Sequence, residues 1–486
     1  MEIPKEVKTI IGKLKKHGFE AFVVGGCVRD SLREIDPKDW DVATNANPEE
    51  IQKVFPESFY ENKFLTVTVQ TGSKKLATKE VEITTYRNES KYTDKRHPDE
   101  VNFAKTIEED LARRDFTINA IAIDLLNSDV NKTIDPFYGR QDLKDKIIRA
   151  VGVAQERFSE DALRMMRAVR FATILDFTIE EKTAVAIKKN ASLLKAISKE
   201  RIRDELVKMI MADKAAQGIE TLRELGLLKY IIPELEEGYQ VAQNKHHIYE
   251  CYDHALFSLK YAAQQGFNIY VRMAALLHDI GKPKSKRGEG ESATFYNHEM
   301  IGAKMANQLL IRLRFSSQDV EKITKLVRFH LFYYNVDEVT ESSVRRLVRQ
   351  VGQENIEELL QVRMCDRIGS GVPKAEPYKL RHLKYVIDKV AQDPISVKML
   401  KVTGHDLMKQ LGIQPGPRVG QILDILLSYV LEEPKNNKKI FLEKEIEKLG
   451  KLDEKELSSL SGKAKKEREK VAVKQDDMTK QKYWVS

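Results

Sequence analysis

Every strand-like stretch in this 486-residue chain falls within its first 150 residues. From about residue 155 onward the apolar residues recur at helical spacing. That split fixes the fold class as an α+β N-terminal part followed by all-α domains, because period-2 alternation builds sheets and period-3.6 amphipathicity builds helical arrays. Residues 4–17 read as a helix with Pro4 at its start and Gly18 as its stop. AFVVGG (21–26) reads as a short buried strand ending in glycines. DVAT (41–44), FLTVTVQTG (64–72) and VEITTYR (81–87) read as strands, and IAIDLLN (121–127) as a further one whose periodicity is ambiguous. The helical remainder divides into 151–240, a histidine-rich block at 241–370, and 371–450, which opens on the proline-containing linker GVPKAEPY. Residues 451–486 are charged and poorly periodic, either a solvated helix or a loosely ordered tail.

What the chain works on is narrowed by charge. The net charge is +8, an excess that suits a polyanion such as nucleic acid. The three cysteines, Cys27, Cys251 and Cys365, are odd in number and far apart. They argue against a disulfide framework and for a reducing, cytoplasmic setting. Lysines interrupt every apolar stretch of residues 1–19, and no run of about 18 uncharged apolar residues occurs, so neither a signal peptide nor a membrane span is expected.

The stretch VVGGCVRDSLREIDPKDWDVAT carries the densest chemistry. Gly25 and Gly26 end a strand and open a helix, which lets backbone N–H groups approach a phosphate. Arg29 in the first helical turn adds a positive charge there. A plain tight turn explains a strand–GG–helix equally well when it stands alone. About ten residues on come Asp39 and Asp41, which on a strand point to the same face. Two adjacent carboxylates repel and call for a cation, and beside a triphosphate Mg²⁺ suits them.

GG-x-VRD followed by D-x-D resembles the nucleotidyltransferase superfamily of DNA polymerase β, in the branch that holds bacterial CCA-adding enzymes and poly(A) polymerases. The resemblance implies a catalytic head at 1–150 and a nucleotide-recognising neck at 151–240, with Asp39 and Asp41 as catalytic Mg²⁺ ligands and Gly25, Gly26 and Arg29 on the triphosphate. EEDLARRDFTINAIAID (108–124) is similar to the family's second motif, which implies that Arg114 contacts the incoming nucleotide. DPFYGRQDL (135–143) is similar to its next turn motif. ISKERIRDEL (197–206) is similar to its later helical motif, read as structural. The polar segment 86–103 resembles the flexible loop that in this family helps the switch from C to A addition.

SEDALRMMRAVRF (159–171) permits a physical argument. With Ser159 or Glu160 as cap, Asp161, Arg164, Arg167 and Arg170 recur every third residue on a helix, and Asp161 and Arg164 become neighbours. Cytosine and adenine each present an amine donor beside a ring-nitrogen acceptor. One carboxylate beside one guanidinium therefore suits both, and it opposes the reversed order of uracil and guanine. Arg167 and Arg170 drift around the helix and meet phosphate or ribose, or brace the pair.

In the histidine-rich block, His278-Asp279 before Gly-Lys-Pro resembles the HD-domain signature, with His254 as its first histidine and Asp366 as its distal aspartate. Imidazoles and carboxylates together suit a divalent transition metal, or Mg²⁺ if the carboxylates dominate. His298 and His330 offer a second metal position. The resemblance implies accessory phosphodiesterase or phosphatase activity there. The expected reaction is attack of a tRNA 3′-hydroxyl on the α-phosphate of CTP or ATP, with pyrophosphate released. The 371–450 region is an expected RNA-binding surface through its lysines, or an ordinary solvated face. The alternatives are poly(A) synthesis, CC-only or A-only addition, and an HD phosphohydrolase whose head binds RNA without catalysis.

Overall fold

The computed structural model describes residues 3–61, 66–90, 100–125, 132–243, 248–336, 338–391 and 397–485. The helix Lys5–Lys16 starts after Pro4 and buries Val7, Ile10, Ile11 and Leu14, one stripe at i, i+3, i+4 and i+7. That stripe packs into the same core as Val23, Val42, Ile83 and Trp40. Strands β1 (Ala21–Val24), β2 (Asp41–Thr44), β3 (Ser58–Glu61), β4 (Thr66–Gln70) and β5 (Glu80–Thr85) follow. A short ribbon then pairs β6 (Arg87–Ser90) with β7 (Glu100–Phe103), before β8 (Ala122–Ile123) and β9 (Thr133–Ile134).

The main sheet has the order β3-β4-β5-β2-β1-β8-β9, with β2 and β5 its parallel pair. Strand β1 is buried on both faces: Ala21 and Val23 join one core and Phe22 and Val24 the other, as a period of two requires. The antiparallel register sets Val24 opposite Asp41. The glycine that ends β1 and the aspartate that begins β2 thus share one sheet edge.

The helix expected at 4–17 is Lys5–Lys16, and the strands expected at 21–26, 41–44, 64–72, 81–87 and 121–127 are Ala21–Val24, Asp41–Thr44, Thr66–Gln70, Glu80–Thr85 and Ala122–Ile123, with residues 64, 65, 126 and 127 outside those described. Sequence reading missed β3, β9 and the ribbon, whose runs are too short or too polar to show alternation. The ribbon occupies the two ends of the polar segment 86–103, and residues 91–99 lie outside those described. Strand pairing also does not stop at residue 155: Thr178–Ile179 pairs in parallel with Ile147–Ile148. Two residues are too few to announce themselves by periodicity.

The chain forms two compact units, one of Met1–Leu331 with Glu357–Ala375, the other of Phe332–Ile356 with Glu376–Ser486. The second unit is built around Leu407, Ile422, Leu426, Leu442, Ile446 and Leu457. Of the two readings of residues 451–486, the helix is realised: Glu454–Tyr483 is one 30-residue helix. It opens on a capping box between Asp453 and Glu456 and tucks Leu457 and Ala464 into that core. Among the described residues no helix is long and apolar enough to cross a membrane.

Candidate functional site

Gly25 has φ +82°, a conformation that L side chains rarely adopt, and a Cβ placed there would lie 3.0 Å from Arg114 Nη1 and 3.2 Å from Asp41 Oδ2. Only glycine lets the strand end come this close to both groups. Gly26 begins the helix Gly26–Leu32, which carries Arg29. Asp39 is exposed in the bend before β2, not on a strand as the same-face argument supposed. Trp40, 3% exposed, anchors the bend in the core between the two aspartates. Burial, followed by the charge of Asp39, pushes the Asp41 carboxyl up to about 7. A carboxyl held that high beside a second carboxylate gains ionisation when a cation joins it. Asp39 and Asp41 therefore fit a hard divalent cation such as Mg²⁺.

Around this edge the cations are held in place. Arg29 grips both oxygens of Asp30 at 2.8 Å and donates to Asn119 Oδ1 at 2.9 Å. Arg114 bonds Asp110 at 3.1 Å, and Arg113 reaches the other oxygen of the same fully buried carboxylate at 2.8 Å. Burial would raise the Asp110 pKa, but the guanidiniums of Arg114 and Arg113 override it and hold it below the ordinary range. Asn119 donates to Asp115 at 3.2 Å, and Asp115 takes Arg167 at 2.6 Å. A continuous chain of hydrogen bonds thus runs from Arg29 on the helix Gly26–Leu32 to Arg167 on the helix Leu163–Leu175.

That helix differs from the expected one. A first helix, Ala154–Glu160, ends before Asp161, which is extended (φ −135°), and the second begins at Leu163. Neither Ser159 nor Glu160 caps the second helix: Ser159 bonds Gln155 O within the first, and Glu160 pairs with Arg157 and Arg164. The Asp161 carboxylate instead accepts from Leu163 N at 3.0 Å and from both terminal nitrogens of Arg201, the shorter bond at 2.7 Å. Asp161 and Arg164 are therefore not an i, i+3 ion pair on one helix. Arg164, 8% exposed, is tied to Glu160 at 2.8 Å and to the carbonyl of Arg113 at 3.2 Å. Arg170 pairs with Glu205 at 2.8 Å. Arg201 and Glu205 lie one turn apart on the helix Lys199–Ile210, whose role had been read as structural. The signal that marks them is the i, i+4 spacing of opposite charges.

Phe171 joins these groups. Its ring centre lies 4.1 Å from the guanidinium carbon of Arg170, 5.3 Å from that of Arg167 and 5.4 Å from that of Arg29. Phe116 packs edge-on against it at 5.7 Å.

The six residues of the HD-like set converge in the same unit. His254 comes from the helix Cys251–Gln264, and His278 and Asp279 follow the helix Ile269–Leu277. His298 opens the helix His298–Arg312, His330 ends the helix Ser317–Phe329, and Asp366 lies in Ile356–Gly369. Two triads result, His254–His278–Asp366 and Asp279–His298–His330, with candidate ligand atoms within 4.8 Å of one another in each. His254 and His278 Nε2 are 2.8 Å apart, and Asp279 lies within 3.2–3.6 Å of all four imidazoles.

Each of three rings places Nδ1 at 2.7–2.8 Å from the carbonyl three residues before it: His278 on Ala275, His298 on Phe295, His330 on Val327. A proton on Nδ1 there leaves the Nε2 lone pair facing the centre, the orientation metal-binding histidines need. Burial opposes charge on His278, yet Asp279 and Asp366 push it up to about 10. A divalent cation answers the same demand as that proton, so the donor set fits a transition metal. Two groups that sequence reading passed over hold the carboxylates: Lys282 lies 2.6 Å from Asp279 and Arg363 2.7 Å from Asp366. Gln243 accepts from Lys282 at 2.6 Å.

Comparison with known proteins agrees with this geometry. The Poly A polymerase head domain family matches residues 21–149. The family described as the probable RNA and SrmB-binding site of polymerase A matches 176–238, and the tRNA nucleotidyltransferase domain 2 family matches 293–446. The CCA-adding enzyme of Ligilactobacillus salivarius is 36% identical over 91% of this chain and 96% of its own length. An A-adding tRNA nucleotidyltransferase of Deinococcus radiodurans is 31% identical over 84% of this chain and 90% of its own. Among solved structures, the Bacillus stearothermophilus CCA-adding enzyme in complex with CTP matches with a TM-score of 0.59 and 28% identity, covering 92% of this chain and 98% of that one. With relatives this similar along nearly their whole length, the chain belongs to the CCA-adding enzyme family of tRNA nucleotidyltransferases.

Proposed function

We propose that this chain adds C, C and A in turn to the 3′ end of tRNA, without a nucleic-acid template, from CTP and ATP and with release of pyrophosphate. The observation that carries the reading is the meeting of Gly25, Asp41 and Arg114 at one sheet edge, joined through Asn119 and Asp115 to Arg167. Asp39 and Asp41 would hold Mg²⁺, which would supply electrostatic stabilisation of the phosphoryl transfer. Gly25 and Gly26 leave room for the triphosphate and Arg29 neutralises it. Arg114 sits where the strand end meets the nucleotide. Asp161 and Arg164 read the base. Three acceptor contacts on Asp161 are already used, of about four that a carboxylate offers. Arg201 thus fixes the direction of the remaining acceptor toward the amine of cytosine or adenine.

The functional parts are a head at 1–150, a neck at 151–240, a histidine-cluster region at 241–370, an RNA-binding region at 371–450 and the terminal helical segment from 451. All three cysteines are unpaired and buried, which supports a cytoplasmic enzyme. The test is direct: incubate the protein with tRNA lacking its last three nucleotides, with CTP and ATP singly and together, and sequence the ends. Addition of CCA alone is the expected result. Long A tails or a single A sink this reading in favour of the polymerase or the A-adding one.

A second activity is favoured by the convergence of four imidazoles and two carboxylates. We infer that His254, His278, Asp279 and Asp366, with His298 and His330, hold divalent metal and hydrolyse a phosphoester. These residues would hold the metal, which would supply Lewis-acid activation of water for phosphoester hydrolysis. Hydrolysis of a 2′,3′-cyclic nucleotide by the purified protein, lost in His278→Ala/Asp279→Ala, is the expected outcome. Silence with every divalent metal tried counts against it.

A further inference from the structure

The chain has two tryptophans. Trp40 is 3% exposed, as a core indole should be, whereas Trp484 is 80% exposed. Backbone geometry turns it outward. Trp484 ends the helix Glu454–Tyr483 in the left-handed conformation, φ +55°, which costs a non-glycine residue about 1 kcal/mol or more. The next residue, Val485, is turned inward to 4% exposure, its N–H bonded to Lys480 O at 3.0 Å.

Arg381 donates to the Trp484 carbonyl at 3.4 Å, and its guanidinium carbon lies 6.0 Å from the ring centre of Tyr378, itself 41% exposed. His382 lies 6.0 Å from the same ring. Lys379 bonds Asn335 at 2.5 Å, and Asn335 bonds the hydroxyl of Tyr333, which is 69% exposed. Glu338 accepts from that same hydroxyl, and Asp388 accepts from Lys482 and Tyr483 next to Trp484. Exposed aromatic faces interleaved with Lys and Arg are the chemistry that stacks an unpaired nucleobase and holds its phosphates.

Resting on the reading of tRNA as substrate, we propose that Trp484 and Tyr378, with Arg381 and Lys379, form a stacking platform for an unpaired loop base of the tRNA. The second unit then grips RNA by a base face and not by lysine–phosphate contacts alone.

Trp40 is buried, so the quenchable emission of the intact protein reports on Trp484. Titration with tRNA lacking CCA is expected to quench that emission and to shield it from acrylamide. Trp484→Ala and Tyr378→Ala each raise KM for tRNA by about five- to a hundredfold, and Trp484→Phe restores most of the loss. On an acceptor-stem duplex without loops the penalty shrinks to within twofold. Saturating tRNA that leaves Trp484 emission and acrylamide access unchanged overturns the platform. So does a Trp484→Ala protein that sediments as a smaller oligomer than wild type with tRNA binding intact, which assigns the patch to a second copy. Quenching by tRNA without any nucleotide addition leaves the platform standing and removes the transferase reading instead.

Discussion

Around the helix Leu163–Leu175 every arginine has its own carboxylate: Arg164 has Glu160, Arg167 has Asp115 and Arg170 has Glu205. The histidine cluster is balanced otherwise. Its two carboxylates already have Lys282 and Arg363, and four imidazoles share them: all four lie within 3.6 Å of Asp279. The first arrangement is preset: its groups keep their positions before a substrate arrives, as stabilising a transition state by fixed charges requires. The second is a demand for an ion, met by a proton on His278 or by a metal. The difference separates a site whose specificity lies in the protein from one whose chemistry lies in what it binds.

The largest effects should divide the two sites cleanly. Asp39→Ala/Asp41→Ala is expected to lower nucleotide addition by about 10³-fold or more, with metal content at the histidines unchanged by elemental analysis. His278→Ala/Asp279→Ala should strip that metal and the hydrolysis while CCA addition stays within about twofold, since no group of the cluster belongs to the transferase network. Loss of addition in the histidine variant, in a protein that remains folded, would break the comparison.

Next in size is Arg201→Ala. Without its fork the Asp161 carboxylate is free to turn, and discrimination of CTP against UTP should fall roughly tenfold or more. Sequencing of products made with CTP and UTP in competition measures it. Misincorporation at the wild-type level would return Arg201 to a purely structural role. Phe171→Leu should act more mildly, raising KM for CTP and ATP together by about three- to tenfold, because three guanidiniums lose one aromatic partner worth roughly 0.5–2 kcal/mol. A change confined to kcat would argue against ground-state positioning of Arg29 and Arg170.

How much of this could be read from residues alone follows the range of the interactions. Asp39, Asp41, Gly25, Gly26 and Arg29 sit in one 17-residue stretch, short enough for the glycine turn and the antiparallel pairing of β1 with β2 to bring Gly25 beside Asp41, although the bend at Asp39 was not foreseen. The histidine set was legible because its residue types are rare and belong together chemically, although they come from five helices. Lys282 and Arg363 lie three residues from Asp279 and Asp366, a helical spacing that would have found them. The break at Asp161 was not legible: SEDALRMMR holds no glycine or proline, and its helix propensity is continuous. At the break the Asp161 carboxylate takes the N–H of Leu163, a local bond that competes with the helix, and is held by Arg201, forty residues away. Gln243 escaped because it is defined by tertiary contact, its bond with Lys282, and not by local pattern.

The finest test exchanges one charge at each site. At Asp41 the folded pKa is raised to about 7, so in the absence of divalent ions the fold is strained by the carboxylate above that pH and relieved of it below the unfolded value of about 4. Asp41→Asn should therefore raise Tm in chelator at pH 8 by a few degrees, on the order of 1 kcal/mol, and leave it nearly unchanged at pH 4. At Asp279 the folded pKa is well below its ordinary value, because the positive charges of Lys282 and His278 outweigh burial. Its contribution is present above the unfolded pKa and is lost as pH falls through the folded one. Asp279→Asn leaves Lys282 buried without its carboxylate and should lower Tm at pH 8, corresponding to a stability loss of about 3–5 kcal/mol if the ammonium stays in place. Opposite signs from the same substitution would show that the transferase carboxylate is kept for a cation at a cost to the fold, while the carboxylate of the histidine cluster also holds the fold together. Equal signs would mean that Asp41 has a protein partner that answers its charge.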